Sequence, residues 1–271
     1  MRLDTQGSTI GYDVYGEGDT TLALLHAYPL TRGQWQAQGE ALAAALRVRV
    51  VAPDLRGSGE SSIDSEPITM DHMAQDVLAL LDHLDARRVV IGGLSLGGYA
   101  TFAALRLASQ RFVGVILADT RATPDTPEGR IGREATAIFV TEKGAVALFD
   151  RDAPKLISNR ITNHHPDIVA NARALAEGNQ PRGLASIARG MALRPDSLPM
   201  LPQITQPTLI LVGDQDALTP VSDARAMFER IPHASLSIIE DAGHLSNLER
   251  PEVFTELVRG FLHEKLSIPS R

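Results

Sequence analysis

The sequence alternates between short apolar runs and segments with helical periodicity. Runs rich in Val, Ile and Leu without a polar face are typical of strands in a parallel sheet that is covered on both sides. They occupy residues 22–26, 48–52, 89–92, 113–118, 208–212 and 236–239. Between them, Thr69–Asp85 has helical spacing behind Thr69 as a candidate N-cap, and a second such helix follows Pro251. This order predicts an α/β fold with a mostly parallel, doubly wound sheet.

One connection is much longer than the others. It runs from Asp119 to Pro207, whereas a crossover between parallel strands needs only about a dozen residues. Helical patterns occur at 133–149, 166–176 and 184–193, without a strand-like run. We interpret the connection as a crossover helix plus an inserted helical cap. The predicted organisation is a single compact unit, with a core of residues 1–120 and 197–271 and a cap of residues 121–196.

Composition narrows the classes of function. The net charge of −7 gives no electrostatic footprint for nucleic acid or for an anionic membrane surface. The chain has no cysteine, which excludes disulfides, thiolate metal ligands and a cysteine nucleophile. The first residues lack the basic and apolar regions of a signal peptide, and no apolar run is long enough to span a bilayer. We therefore expect a cytoplasmic protein, and the oligomeric state stays open.

The segment Gly93-Leu94-Ser95-Leu96-Gly97 has the pattern G-x-S-x-G. The pattern alone is weak evidence, but here an apolar run precedes it and a helical pattern follows it. Strand, sharp turn and helix form the setting of a nucleophile elbow, in which a serine hydroxyl is exposed above the sheet. The start of the helix also directs free N–H groups and a positive dipole end toward developing negative charge. The alternative is a glycine-rich turn with a buried serine.

A serine nucleophile needs a general base and a group that orients the base. His244 follows the run 236–239 and precedes the final helix, which predicts a position at the carboxyl edge of the sheet, as for Ser95. The alternative is a histidine in a surface loop. For the orienting carboxylate, Asp214 and Asp216 both follow a predicted strand, and spacing alone does not separate them.

Four further expectations concern a third aspartate, the oxyanion donors, His26 and the substrate-binding residues. Asp119, at the end of another predicted strand, is a third candidate for the orienting carboxylate. The oxyanion of acyl transfer needs N–H donors, for which we expect the backbone groups of Leu96 and Tyr28. His26 is expected to order the loop that contains Tyr28, although it could be mistaken for a base. The predicted substrate-binding residues are Tyr28, Leu96, Leu218 and Leu245.

Five segments occur in the order and spacing of the α/β-hydrolase family: LLHAYPL, PDLRGSGES, GGLSLGG, GDQDALTP and DAGHLSNLERPE. The chain resembles the bacterial serine esterase, enol-lactonase and cofactor-free haloperoxidase branch of that family. The resemblance implies an eight-stranded sheet, favours Asp216 as the orienting acid, and identifies Asp54–Gly59 as a structural turn. Two positions depart from the family pattern. Ala27 replaces a usual glycine in the oxyanion loop, and Leu96 replaces a common methionine.

These features predict a serine hydrolase that cleaves a small-molecule ester or lactone through an acyl-enzyme on Ser95, with His244 and Asp216 completing the triad. We expect no cofactor and no metal. A serine at the elbow argues against carbon–halogen cleavage and epoxide opening, for which relatives with this fold use an aspartate. The alternatives are a perhydrolase of the haloperoxidase type or a carbon–carbon bond hydrolase with the same triad, and, more remotely, a non-catalytic receptor for a small molecule.

The distribution of charge gives a clue to the substrate. Residues 120–196 contain nine Arg and two Lys against nine Asp and Glu, a net charge of +2, which leaves −9 for the rest of the chain. A cap more basic than the body favours a carboxylate-bearing substrate such as an enol-lactone. The alternative is ordinary solvated surface charge.

Overall fold

A computed structural model describes residues 1–5 and 7–271 of the chain. Within this part, eight strands form one sheet in the order β1-β2-β4-β3-β5-β6-β7-β8. They are β1 (Arg2–Asp4), β2 (Thr9–Tyr15), β3 (Thr20–Leu25), β4 (Val48–Pro53), β5 (Arg88–Leu94), β6 (Phe112–Ala118), β7 (Thr208–Gly213) and β8 (Ala234–Ile239). Strands β3 to β8 run parallel to one another, whereas β2 pairs antiparallel with both β1 and β4. The predicted mostly parallel sheet is confirmed.

The sheet is covered on both faces, as the apolar runs require. In β5, Val89 and Ile91 belong to one buried cluster and Val90 and Leu94 to the other, because successive side chains of a strand point to opposite faces. The helices are α1 (Gln36–Ala45), α2 (Met70–His83), α3 (Leu96–Ala108), α4 (Pro127–Lys143), α5 (Ala145–Leu156), α6 (Asn159–His164), α7 (Pro166–Glu177), α8 (Pro181–Ala192), α9 (Val221–Phe228), α10 (Ser246–Glu249) and α11 (Pro251–Leu266). Helices α2, α3 and α9 contribute to the first cluster, and α1 and α11 to the second.

The first two strands were not among the apolar runs of the sequence. Both belong to the antiparallel edge, and β1 has its two end residues exposed. In β2, Thr9 and Asp13 stay partly exposed while Ile10 and Tyr12 are buried. An edge strand with polar residues on one face alternates in hydropathy and does not form a continuous apolar run.

Helices α4 to α8 occupy the long connection between β6 and β7. The predicted helix at 133–149 is wrong in its bounds, because α4 ends at Lys143 and α5 begins at Ala145. Gly144, between them, has φ +88°, a conformation that interrupts a helix and that glycine adopts at little cost. The short helix α6 was not predicted. That residues 121–196 form a cap inserted into a separate core stays a prediction.

In the described residues, no helix combines the length and the apolar character needed to cross a membrane.

Candidate active site

Ser95 lies on the sharp turn between β5 and α3, with φ +54°. A Cβ atom on Gly93 would lie 2.1 Å from the carbonyl carbon of Gly97, and one on Gly97 would lie 2.1 Å from the carbonyl oxygen of Leu25. Both positions therefore require glycine for the turn to close. Residues 89–94 and 96–100 are buried, whereas Ser95 is partly exposed. The predicted buried-serine alternative does not describe this arrangement.

His244 and Asp216 form a buried pair at the carboxyl edge of the sheet. The imidazole Nδ1 lies 2.9 Å from Asp216 Oδ2, and the two side chains are 1% and 0% exposed. The other contacts of the carboxylate come from one turn: Oδ1 accepts from the N–H groups of Leu218 (2.8 Å) and Thr219 (2.9 Å), and Oδ2 accepts from the Thr219 hydroxyl (2.6 Å). The carboxylate is thus fixed by the backbone independently of the histidine.

The electrostatics of this pair determine which ring nitrogen carries the proton. Burial alone would raise the pKa of Asp216, but the charge of His244 and the hydrogen bonds from His244 and Thr219 lower it below its usual value. The ionised carboxylate can only accept hydrogen bonds, so Nδ1 of His244 is the donor. Whenever the ring carries only this proton, Nε2 has a lone pair that can accept a second one.

The other two candidate aspartates have different partners. Asp214 is exposed and accepts a hydrogen bond from the N–H of Ala242 at 3.2 Å. Asp119 is fully buried and accepts hydrogen bonds from the N–H of Gly213 (2.8 Å) and from the Ser246 hydroxyl. Burial and the nearby charge of Asp216 raise the pKa of Asp119 well above its usual value. Of the three aspartates, Asp216 is therefore the one that contacts His244.

Ser95 and His244 line the same pocket, which has a volume of about 420 Å³. Tyr28, Leu218 and Thr219 also line it, so two of the four residues expected to bind substrate lie at this site. The Tyr28 hydroxyl donates to the carbonyl of Leu184 in α8 (3.2 Å), which joins the pocket wall to the long connection. The rest of the lining includes several charged residues of α4 and α5.

The other two residues expected to bind substrate, Leu96 and Leu245, have their side chains elsewhere. Both are fully buried, Leu96 in the cluster that contains α2 and α3, and Leu245 in the opposite one. Neither is part of the pocket lining in the described chain. Each is the immediate neighbour of a residue that faces the pocket, and adjacent side chains on a turn or helix start point in different directions.

Two backbone N–H groups are available at the site. Leu96 is the first residue of α3, so its N–H has no partner within the helix. Among the residues that the structure describes, neither this group nor the N–H of Tyr28 has a hydrogen-bond acceptor. Both belong to residues beside or in the wall of the pocket that contains Ser95, as the expected pair of oxyanion donors would require.

His26 orders the loop that carries Tyr28, which confirms its expected structural role. Its Nδ1–H donates to the carbonyl of Ala27 (2.9 Å), and its Nε2 accepts from the N–H of Leu55 (2.9 Å). Burial lowers the pKa of this imidazole, which keeps the ring neutral in this arrangement. Ala27, at the position that departs from the family pattern, donates its N–H to Gln34 Oε1 (2.8 Å).

The segment Asp54–Gly59 is a structural turn, as the resemblance implied. The Asp54 carboxylate is buried and accepts from the N–H groups of Arg32 (2.8 Å) and Glu60 (2.9 Å). A Cβ atom on Gly59 would lie 2.2 Å from this carboxylate, so the position requires glycine. None of these residues belongs to the pocket lining among the residues described.

Two residues near the site were missed by sequence reasoning. Thr219 follows Asp216 by three positions, a spacing typical of Asp side chains that bond to their own turn, and this signal could have identified it. Glu249 is buried, and its Oε2 accepts from the N–H groups of Gly243 and Ser158, both at 3.0 Å. No signal in the sequence indicated this second contact. In residues 1–5 and 7–271, no group of three or more His, Asp or Glu side chains is placed to hold a metal ion.

Comparison with known proteins identifies the family of the chain. Residues 22–257 match the family model described as the alpha/beta hydrolase family. The 3-oxoadipate enol-lactonase 2 of Acinetobacter baylyi is 30% identical over 266 residues, which cover 96% of this chain and 95% of that protein. A solved structure of a thermophilic esterase from Thermogutta terrifontis, with malate bound, has a TM-score of 0.93 and 38% identity, and the match covers 97% of this chain and 98% of that one. The enol-lactonase from Burkholderia xenovorans has a TM-score of 0.90 and 28% identity, with 97% and 100% covered. The chain belongs to the alpha/beta hydrolase family.

Proposed function

We propose that this protein is a carboxylic ester hydrolase that cleaves a small-molecule ester or lactone through an acyl-enzyme on Ser95. The observation that carries the proposal is that His244, bonded through Nδ1 to Asp216, lines the same pocket as Ser95 on its turn. The relatives named above as an esterase and as enol-lactonases support the substrate class. In this proposal His244 is the general base and Asp216 the orienting acid.

The first half of the reaction forms the acyl-enzyme. Ser95 Oγ attacks the carbonyl carbon of the substrate while Nε2 of His244 accepts the hydroxyl proton. The N–H groups of Tyr28 and Leu96 donate hydrogen bonds to the oxyanion of the tetrahedral intermediate. His244 then gives its proton to the leaving alkoxide oxygen as the bond from that oxygen to the carbonyl carbon breaks. Asp216 stabilises the imidazolium while it exists.

The second half releases the acid. A water molecule attacks the acyl carbonyl carbon while Nε2 of His244 accepts one of its protons. The second tetrahedral intermediate collapses, Ser95 Oγ leaves with the proton from His244, and the carboxylic acid is free to dissociate. For a lactone, the leaving alkoxide and the acyl group belong to one molecule, so the product is a hydroxy acid.

The test is the hydrolysis of p-nitrophenyl esters from acetate to decanoate, together with lactones followed by acid release. Wild type, Ser95→Ala and Ser222→Ala are compared, because Ser222 is an exposed serine on α9 and serves as the matched control. We expect Ser95→Ala to lower kcat by about 10⁴-fold or more, and Ser222→Ala to leave kcat unchanged.

Two outcomes would overturn the proposal. Turnover that persists in Ser95→Ala would assign the nucleophile to another residue. A wild-type protein that binds such esters but turns over neither esters nor lactones would favour a receptor, or one of the other reactions that this triad can perform.

A further inference from the structure

The pocket that contains Ser95 has an excess of positive charge. Its charged lining, within the described chain, consists of four cations and one carboxylate, besides the histidine: Arg121, Arg133, Arg151, Lys155 and Asp152. These residues come from the long connection between β6 and β7. Cations gathered in a cleft attract an anionic ligand more strongly than the same groups scattered on a water-exposed surface.

Three of the four cations have other roles or lie at the exposed rim. Arg121 donates to the carbonyl of Leu218 and lies 3.6 Å from the Asp223 carboxylate. Arg151 binds Asp152 through two nitrogens, each at 2.8 Å, so these two charges compensate each other. Lys155 is exposed and contributes to the potential without a fixed geometry.

Arg133 differs from them because it is held by one nitrogen only. Its Nε donates to Asp125 Oδ2 at 2.9 Å, and within the described chain Nη1 and Nη2 have no protein acceptor. Asp125 in turn binds Arg194 at 2.8 Å, and Arg194, with a side chain 4% exposed, stacks on the ring of Tyr99 at 4.2 Å. One carboxylate thus serves two guanidinium groups, and the cluster keeps a net positive charge.

We infer that the substrate is an ester or lactone that carries a carboxylate, and that Arg133 binds this carboxylate. Two parallel N–H groups of a guanidinium match the two oxygens of a carboxylate, and the bond to Asp125 fixes the orientation of the group in advance. Arg133 is then a specificity residue that binds the substrate and takes no part in breaking the bond. This inference rests on the proposed hydrolysis at Ser95 and deepens it by naming the substrate class.

The test compares two p-nitrophenyl esters with acyl chains of equal carbon number, the neutral hexanoate and the anionic monoester of adipate. The variants are Arg133→Met, Arg133→Lys and Arg130→Met. Arg130 is an exposed arginine on the same helix, α4, outside the pocket lining, and its substitution removes the same charge. Thermal unfolding of each variant verifies that the fold is retained.

We expect wild type to prefer the anionic ester in kcat/KM. Arg133→Met should lower kcat/KM for the anionic ester by about 10- to 100-fold and for the neutral ester by less than about threefold. The kcat/KM of Arg133→Lys for the anionic ester should lie between those of wild type and Arg133→Met, because lysine keeps the positive charge but lacks the two parallel N–H groups of a guanidinium. Arg130→Met should leave the preference intact.

Equal losses for both esters in Arg133→Met would overturn the inference, because they would assign a structural role to Arg133. A wild-type preference for the neutral ester would overturn it as well. Calorimetry with the adipate dianion, in the Ser95→Ala background, needs no turnover and separates this inference from the proposed reaction. There, Arg133→Met should raise the Kd about 10-fold, and an unchanged Kd would contradict carboxylate binding even if ester hydrolysis is established.

Discussion

Nδ1 of His244 and Oδ2 of Asp216 are 2.9 Å apart in a site where neither side chain is more than 1% exposed. The carboxylate also accepts hydrogen bonds from two N–H groups and one hydroxyl of the turn that follows β7. Its position is therefore fixed without the histidine, and the histidine ring is oriented by a charge that cannot move away. A buried imidazolium would be costly without this partner.

Replacement of Asp216 by asparagine keeps the shape of the side chain and removes its charge. The amide no longer stabilises the imidazolium and can stabilise the wrong tautomer of His244. We expect Asp216→Asn to lower kcat by about 10³- to 10⁴-fold, measured with the best p-nitrophenyl ester. Asp214→Asn is the matched control, because Asp214 is an exposed carboxylate two residues away. An equal loss in Asp214→Asn would contradict the assignment of Asp216.

Glu249 joins the segment that precedes His244 to the long connection between β6 and β7. Its Oε2 accepts from Gly243 N–H and Ser158 N–H at 3.0 Å, and a third bond, from Leu245 N–H to the carbonyl of Leu156 (3.1 Å), joins the same segments. Glu249→Ala leaves two buried N–H groups without acceptors, each at a cost of about 1–3 kcal/mol. The position of His244 then becomes less well defined.

We therefore expect Glu249→Ala to lower the free energy of unfolding by about 2–5 kcal/mol and kcat by about 10-fold or more, with little change in KM. Steady-state kinetics and urea unfolding measure these quantities. Glu252→Ala removes an exposed carboxylate from the start of α11 and is the control, with both quantities expected near wild type. A rise in KM alone, with kcat unchanged, would indicate that Glu249 acts on the pocket and not on His244.

Glycine at positions 93 and 97 is required by contacts with the backbone. The atoms that an added Cβ would meet are 2.1 Å away and belong to the main chain, which cannot rotate aside. We expect Gly93→Ala and Gly97→Ala each to lower the free energy of unfolding by more than about 3 kcal/mol, or to prevent folding. Gly260→Ala, on α11, meets nothing within 4 Å and should stabilise the protein by up to about 1 kcal/mol. Similar unfolding midpoints for all three variants would contradict the steric argument.

The interior of the fold could be predicted because its signal is local. Strands β3 to β7 are almost entirely buried, so each is a short apolar run that stands out in the sequence. The edge strand β8 is only partly buried, but its run at 236–239 was also recognised. The edge strand β1 and its neighbour β2 have polar residues on one face and were not identified, although Ile10, Tyr12 and Val14 alternate with other residues in a pattern typical of a strand. The break at Gly144 was also missed, since a glycine within a helical pattern does not by itself indicate its φ angle.

The site residues that directly follow a predicted strand could be identified from the sequence. Those whose role depends on the direction of the side chain could not. Ser95 and His244 follow strands in the sequence and reach the same pocket in the structure. Asp214 and Asp216 follow the same strand, so only the turn geometry distinguishes the one that contacts His244. Arg133 lies in the long connection and Glu249 lies on α10, five positions after His244; neither position has a sequence signal, and only the fold reveals their contacts.

Asp125 lies between Arg133 and Arg194 and stabilises the fold to an extent that depends on pH. Burial alone would raise the pKa of Asp125, but hydrogen bonds from Arg194 and Arg133 lower it to about 2. An unfolded aspartate has a pKa of about 3.9, so the ionised carboxylate stabilises the fold by about 2–3 kcal/mol above about pH 5, and this contribution is lost as the pH falls toward 2. We expect the difference in unfolding free energy between wild type and Asp125→Asn to be largest near about pH 6 and to shrink by about half near about pH 3. Urea unfolding across this range measures it, with Asp19→Asn, an exposed carboxylate, as the control. Only ionisation of the carboxylate can make the stability difference grow as the pH rises. A difference that stays constant with pH would therefore contradict a contribution from the charge of Asp125, and would mean that asparagine destabilises the fold by disturbing the packing.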